Sequence, residues 1–162
     1  MELAKALGVQ NYHRQGKAVW PNLPNPHLLT AKDGPGPHPW AADAIAAGSA
    51  VIYVAEGGTG SGSEADPMGD LGEALRQLQE RGGLILLGDG RFTVGAQPLV
   101  TELVTVVGRC SSGSTIFGQV GGRWNVNGFG ENAQMRLAGL RLEMGLKASN
   151  LRSLKLNQVV TK

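Results

Sequence analysis

Cysteine occurs once in the 162 residues, at Cys110. A lone cysteine excludes an intramolecular disulfide framework and any Cys-x-x-Cys metal site, and Cys110 reads as a small apolar filler at a strand end. Aromatic residues are scarce at 5%, and charged residues stand at 17%, below the usual share of about a quarter. The net charge of +2 comes from scattered lysines and arginines with no cluster. Nucleic-acid binding needs a clustered basic patch, so no nucleic-acid partner is expected. No apolar run approaches the roughly 20 residues of a membrane-spanning helix, so no membrane partner is expected either. The opening stretch Met1–Val9 lacks the basic region and apolar core of a secretory signal. The spacing of His13, His27 and His38 fits no zinc pattern, and no metal or other cofactor is expected.

What is abundant is glycine, with 25 residues. A glycine-rich, aromatic-poor, β-branched chain suits a solenoid of short strands and tight corners better than a helical bundle. The length allows one domain with a real core plus an arm.

Residues 1–50 differ in kind from the rest. Trp20-Pro-Asn-Leu-Pro-Asn-Pro26 and Gly34-Pro-Gly-Pro-His-Pro-Trp40 hold six of the eight prolines. Proline removes a backbone donor and forces extended geometry on its predecessor, so this stretch is neither a regular helix nor a central strand. It nevertheless carries Trp20, Leu23, Leu28, Leu29 and Trp40. The expectation is an extended arm whose apolar side chains anchor on another protein. Ala41–Gly48 is read as one or two helical turns ending at glycine.

Residues 51–162 read as the folded domain. Val51–Ala55 is a strand, and Gly57–Ser63 a flexible Gly/Ser loop. That loop lacks the GxxxxGK[ST] of a phosphate loop and does not open directly into a helix, which excludes a nucleotide site. From about residue 70 to 81, Leu71, Leu75 and Leu78 fall on one helical stripe widened by Ala74, with Asp70 as N-cap and Gly82-Gly83 as the stop. Short strands follow at Gly82–Leu87, Arg91–Val94, Leu103–Val107, Thr115–Phe117, Met135–Leu142 and Leu151–Leu156. The apolar run Leu84–Leu87 predicts a buried strand. Met135, Leu137, Leu140 and Leu142 do not share one face unless the strand breaks, and Gly139 is the predicted corner. The C-terminal Asn157–Lys162 offers no obvious cap.

Several of these passages carry a family resemblance. The opening strand with its Gly/Ser loop, the helix followed by Gly82-Gly-Leu-Ile-Leu-Leu-Gly-Asp-Gly-Arg-Phe-Thr-Val94, then Val104-Thr-Val-Val-Gly-Arg109, Ser114-Thr-Ile-Phe-Gly118 and Ala138-Gly-Leu-Arg-Leu142 resemble the pectin-lyase-like domains of phage tail spikes and virion decorations. The likeness covers roughly residues 51–145. It implies an all-β fold, a short right-handed parallel β-helix whose first layer is capped by the 70–81 helix, and in phages a homotrimer. Spike enzymes of this kind carry many more layers, so their depolymerase activity is not carried over.

The remaining chemistry points the same way. Asp89, Glu102, Glu131 and Glu143 form no local carboxylate pair of the sort glycoside hydrolysis uses. Arg109, Arg123, Arg136 and Arg141 lack the acidic cluster that a calcium-dependent lyase needs. Trp124 fills a corner or a subunit contact, with Arg136 and Arg141 on an outer strand face as further subunit contacts. The expected function is that of a non-enzymatic structural protein of a tailed bacteriophage virion, assembled in the host cytoplasm. Its N-terminal arm binds the major capsid protein or another virion protein, and capsid decoration or cementing is the leading role. A tail spike, fibre or adaptor protein is the first alternative, and a small polysaccharide-binding or lyase-like protein the second.

Overall fold

The computed structural model describes residues 38–94, 98–109, 112–118 and 122–161. Helix α1 (Pro39–Ala46) precedes strand β1 (Val51–Val54) and helix α2 (Leu71–Leu78). Nine strands follow: β2 (Gly83–Leu87), β3 (Gly90–Thr93), β4 (Leu99–Val100), β5 (Leu103–Val107), β6 (Ser114–Phe117), β7 (Arg123–Gly128), β8 (Gln134–Glu143), β9 (Gly145–Ser149) and β10 (Ser153–Thr161). The fold is mostly β, and every strand pairing is parallel.

The pairings sort into three ladders. The first stacks β1, β2, β5, and the leading halves of β8 and β10. The second stacks β3, β6, and the trailing halves of β8 and β10. The third stacks β4, β7 and β9. The chain visits the three in the same order on each circuit. Gly83 lies opposite Val104, Val104 opposite Met135 and Met135 opposite Leu154, so layers follow one another at 21, 31 and 19 residues. The first two ladders form one continuous curled sheet because β8 runs through both.

That bend is local and sequence-encoded. Ala138 pairs with Val107 in the first ladder, while Arg141 pairs with Thr115 in the second. Between them Gly139 takes φ +62°, the left-handed region that glycine enters without steric cost. Gln158 sits at the equivalent place in β10 and takes φ +53°. Buried Ser114 ties the same corner in the layers below: its Oγ accepts from the Arg109 N–H at 2.7 Å and donates to the Gly88 carbonyl at 2.9 Å.

Period-two alternation turns one set of residues inward. Ile52, Val54, Ile85, Leu87, Val104, Val106, Met135 and Leu137 from the first ladder meet Phe92, Ile116 and Leu142 from the second and Trp124 and Val126 from the third. Parallel strands buried on both faces read as unbroken apolar runs, and Leu84–Leu87 is such a case. Ile85 and Leu87 point into the core, while Leu84 and Leu86 point out and are covered by α1.

The sequence reading assigns residues 39–50 to the arm. The structure instead lays α1 along the outer face of the first ladder, with Ala41 fully buried and Trp40, Ala44 and Ile45 packed beside it. Pro39 opens this helix, and His38 caps it: the imidazole Nδ1 accepts from the Trp40 N–H at 3.2 Å. Burial pushes the His38 imidazole below its ordinary value of 6.5, partly opposed by a hydrogen bond with the Asn157 side chain. The folded chain therefore takes up this proton less readily than the unfolded chain. Stability contributed here is intact above about pH 6.5 and falls as the pH drops below it. Protonation also places a hydrogen on the capping nitrogen. Acidification from about pH 7.5 to about pH 5.5 is expected to cost about 1 kcal/mol, the worth of one cap. His38→Asn, which caps but does not titrate, is expected to flatten that dependence in thermal unfolding.

One end of the stack is closed by the chain itself. Leu71, Ala74, Leu75 and Leu78 of α2 join the core beneath the first layer, and Asp70 caps that helix through the Glu73 N–H at 3.1 Å. The free edge of β1 is occupied as well. The loop read from sequence as flexible is pinned there: Tyr53 N–H donates to Gly62, Met68 N–H to Tyr53 and Ala55 N–H to Met68, at 2.7, 3.0 and 2.9 Å. An exposed strand edge templates unwanted pairing, and this loop removes it.

Candidate functional site

The opposite end is built differently. Leu154 and Leu156 of β10 face inward over Met135 and Leu137. Among the described residues nothing lies beyond them, so Leu156 keeps 49% of its surface exposed, and Val160 on the outer face keeps 41%. The third ladder stops a layer earlier, at β9, which leaves Leu146 partly open as well. Leu142, Met144, Leu146, Leu154 and Leu156 thus line a hollow of about 640 Å³, with Arg123 and Glu143 at its side.

Charge at this end has one dominant sign. From Leu140 to Thr161 the sequence carries Arg141, Lys147, Arg152 and Lys155 against Glu143 alone. Glu143 is itself engaged by Arg91 at 2.7 Å, and Arg91 stacks over the Phe117 ring at 4.5 Å. Arg141 and Lys155 lie on outer strand faces, while the hollow itself is lined by one base, Arg123, and one acid, Glu143.

The start of the described chain lies at this same end. The His38 side chain is bonded to Asn157, the residue after Leu156. The Arg136 guanidinium lies over the Trp40 ring at 5.5 Å, and Arg136 is the ladder neighbour of Lys155 in β10. Residues 1–37 therefore join the domain beside its last strand.

The predicted site residues divide sharply. Trp20, Leu23, Leu28 and Leu29 lie outside the described residues. Trp40, predicted as an arm anchor, instead packs on the chain's own sheet. Trp124, predicted as a possible subunit contact, is 1% exposed and faces the core from β7, so it has no surface to offer. Arg136, predicted as a possible subunit contact, is partly buried and lies against the Trp40 ring of α1. Arg141 stays half-buried on the outer face of the second ladder, in line with Thr115 and Val160, and its Nε has no hydrogen-bond partner among the described residues. Sequence reading missed Phe129, which follows β7 and is 70% exposed, and Leu99 nearby on the same corner, whose neighbour Val100 accepts from the Phe129 N–H at 2.9 Å. A lone aromatic between two glycines was the available signal.

A second hollow, of about 530 Å³, lies between the Gly57–Ser61 loop and α2. Its backbone donors are committed: Gly58 to Ala55, Gly60 to Pro67, and Ser61 to the Asp66 carboxylate at 3.1 Å. With Asp70 and Glu73 on its wall it presents acceptors, the wrong polarity for a phosphate. Among the described residues no three His, Cys, Asp or Glu side chains gather as a metal site, and no helix is long and apolar enough to cross a membrane. Glu102 meets Asn132 at 3.5 Å before β5 and β8, whereas Glu143 pairs with Arg91 across the second ladder, so these two carboxylates occupy different corners.

No protein-family model, curated protein or solved structure matches the chain.

Proposed function

We propose that this chain is a non-catalytic structural module of a tailed-phage virion, a short right-handed parallel β-helix that assembles as a homotrimer and decorates or cements the capsid. The observation that carries the reading is the contrast between the two ends. One is sealed by α2 and the Met68 loop; at the other, among the described residues, Leu156 is half-exposed, Leu146 and Leu154 are only partly buried, and no strand pairs with the outer edge of β10. An enzyme's stack has no need of such an end, whereas an assembly component has something to cover it. The virion setting rests on the resemblance of residues 51–145 to spike and decoration domains. The three-ladder register and the capping helix support the β-helix. Phe129, beside Leu99 on a lateral corner, is the natural apolar contact between neighbouring subunits. Trp20, Leu23, Leu28 and Leu29 would contact the major capsid protein or another virion protein.

A polysaccharide-binding role through Trp124 loses its stacking surface, because that ring is enclosed. The test is solution mass by light scattering after size exclusion. The full chain is expected at about three times its 16.9 kDa, and Phe129→Ser at one chain. A full-length chain that stays monomeric at micromolar concentration would overturn the trimer. Electron microscopy of labelled particles then places the protein on the head or on the tail.

A further inference from the structure

The last strand carries a pattern that is complementary to itself. We propose that β10 pairs antiparallel with β10 of a second copy, about a two-fold axis between Asn157 and Gln158, and so joins two stacks end to end. The proposal rests on the reading of this end as an assembly surface and names what covers it; it does not depend on the virion setting.

Pattern comes first. Leu154 and Leu156 stack on the core residues Met135 and Leu137, and Val159 and Thr161 on Leu140 and Leu142, so these four turn inward. Lys155 and Val160 stack on Arg136 and Arg141 and turn outward. The left-handed backbone of Gln158, φ +53°, breaks the alternation between the two arms. Counted from either end toward the bend, β10 therefore runs inward, outward, inward. Residues opposed in an antiparallel pair share a face of the sheet. A regular strand meets that condition under two-fold symmetry only when the axis passes through a residue pair. Here the broken alternation meets it about the Asn157–Gln158 bond. Leu156 then lies opposite Val159 of the second copy, Leu154 opposite its Thr161 and Lys155 opposite its Val160. The same axis sets corner on corner, so the first ladder of one stack continues into the second ladder of the other.

Charge and topology select a second copy. Lys155 is the single charged residue of β10. In this register it meets valine rather than another lysine, and its aliphatic stem lies along that side chain. The opposite end of the molecule has no strand edge to offer, because the loop bonds of Tyr53, Met68 and Ala55 occupy β1. Another copy can therefore extend the sheet only with its own β10, and such a contact closes on itself. The third ladder stops a layer earlier, so β10 alone meets β10. That contact is small against the roughly 1,200–2,000 Å² of stable interfaces, and the basic excess from Arg141 to Lys155 opposes it at low salt. Micromolar solutions are therefore expected to keep unpaired ends, and pairing to appear toward millimolar concentration.

The test is sedimentation equilibrium of the full chain from micromolar to millimolar concentration, where the mass is expected to double. Val160 lies outside the core and is 41% exposed, so substitution there leaves the fold intact. Val160→Glu sets a carboxylate opposite Lys155 twice in each pair and is expected to tighten pairing several-fold. Val160→Lys sets like charges opposite and is expected to abolish it. Equal pairing by the two variants, or a mass constant up to millimolar concentration, overturns the proposal. Register is read by disulfide formation in a Cys110→Ser background. Lys155→Cys/Val160→Cys is expected to link two chains at least about tenfold faster than Lys155→Cys alone, since only directly opposed Cβ atoms come within disulfide range. A single Lys155→Cys that links as fast overturns the Asn157–Gln158 axis. A trimer at micromolar concentration without end pairing sinks this proposal alone; end pairing by a chain that is monomeric at micromolar concentration sinks the trimer alone.

Discussion

Replacing Trp124 with alanine is expected to remove about 3–5 kcal/mol of stability, a large share of the 5–15 kcal/mol typical of a domain. The side chain is 1% exposed and is the largest in the core. It stands on β7 beside Val126, where the third ladder, only three strands deep, supplies its share of the interior. Removing it leaves a void that so thin a wall closes poorly. Urea unfolding of the isolated protein should show the midpoint collapse. Were Trp124 a subunit contact, the same substitution would lower the oligomer mass and leave the fold intact. Trp124→Phe is expected to cost far less. The indole Nε1 is buried without a hydrogen-bond partner among the described residues, and phenylalanine removes that unsatisfied donor while keeping most of the volume.

Gly108→Ala is the second large effect, expected at about 3 kcal/mol, the upper end for overpacking. Gly108 follows β5 at the corner between the first two ladders, where its N–H donates to Ala138 at 2.8 Å. A methyl group there would stand 2.5 Å from the Gly139 carbonyl oxygen, 2.8 Å from the Ser114 Cβ and 2.9 Å from the Leu140 Cβ. The first of these is backbone held by the ladder and does not yield as a flexible side chain would. The corner must open, and with it the Ser114 bonds to Gly88 and Arg109. Thermal unfolding measures the loss. Gly130→Ala serves as the comparison, since no atom lies within 4 Å of a methyl there, although its φ of +95° still carries some cost.

Sequence patterning made some of this fold legible and hid the rest for identifiable reasons. The strands of the first two ladders are apolar and β-branched, and Val51–Val54, Gly83–Leu87 and Leu103–Val107 stand out as such. Helix α2 was legible from its stripe and both ends, and Gly139 from the clash between apolar spacing and a straight strand. The third ladder was hidden. In β7 only Trp124, Val126 and Gly128 face inward, and the intervening Asn125 and Asn127 read as turn residues. In β9, Leu146 is the sole large apolar residue, and β4 is two residues long. The sequence reading ended the last strand at Leu156 and found no cap in Asn157–Lys162, yet Val159–Thr161 pair with Leu140–Leu142. A ladder fixes its register through neighbours distant in sequence, and local propensity carries no trace of them. The same limit governs the site. That Leu154 and Leu156 face inward is readable from alternation; that no described residue lies above them is a property of the assembled stack. Proline spacing marked residues 1–50 as distinct, but the packing of α1, within that stretch, depends on Leu84 and Leu86 pointing outward, which is invisible until the sheet exists.

The blocked edge at β1 also gives the molecule a polarity for growth. A parallel stack with two bare ends can add copies head to tail, and such contacts do not close on themselves but run on into fibres. Here the Tyr53, Met68 and Ala55 backbone bonds leave no template at one end, and α2 fills the core beneath it. Any strand added to β10 would itself belong to a molecule whose far end is stopped. Head-to-tail polymerisation therefore terminates at its first step, and a chain rich in parallel strands avoids becoming the seed of a filament.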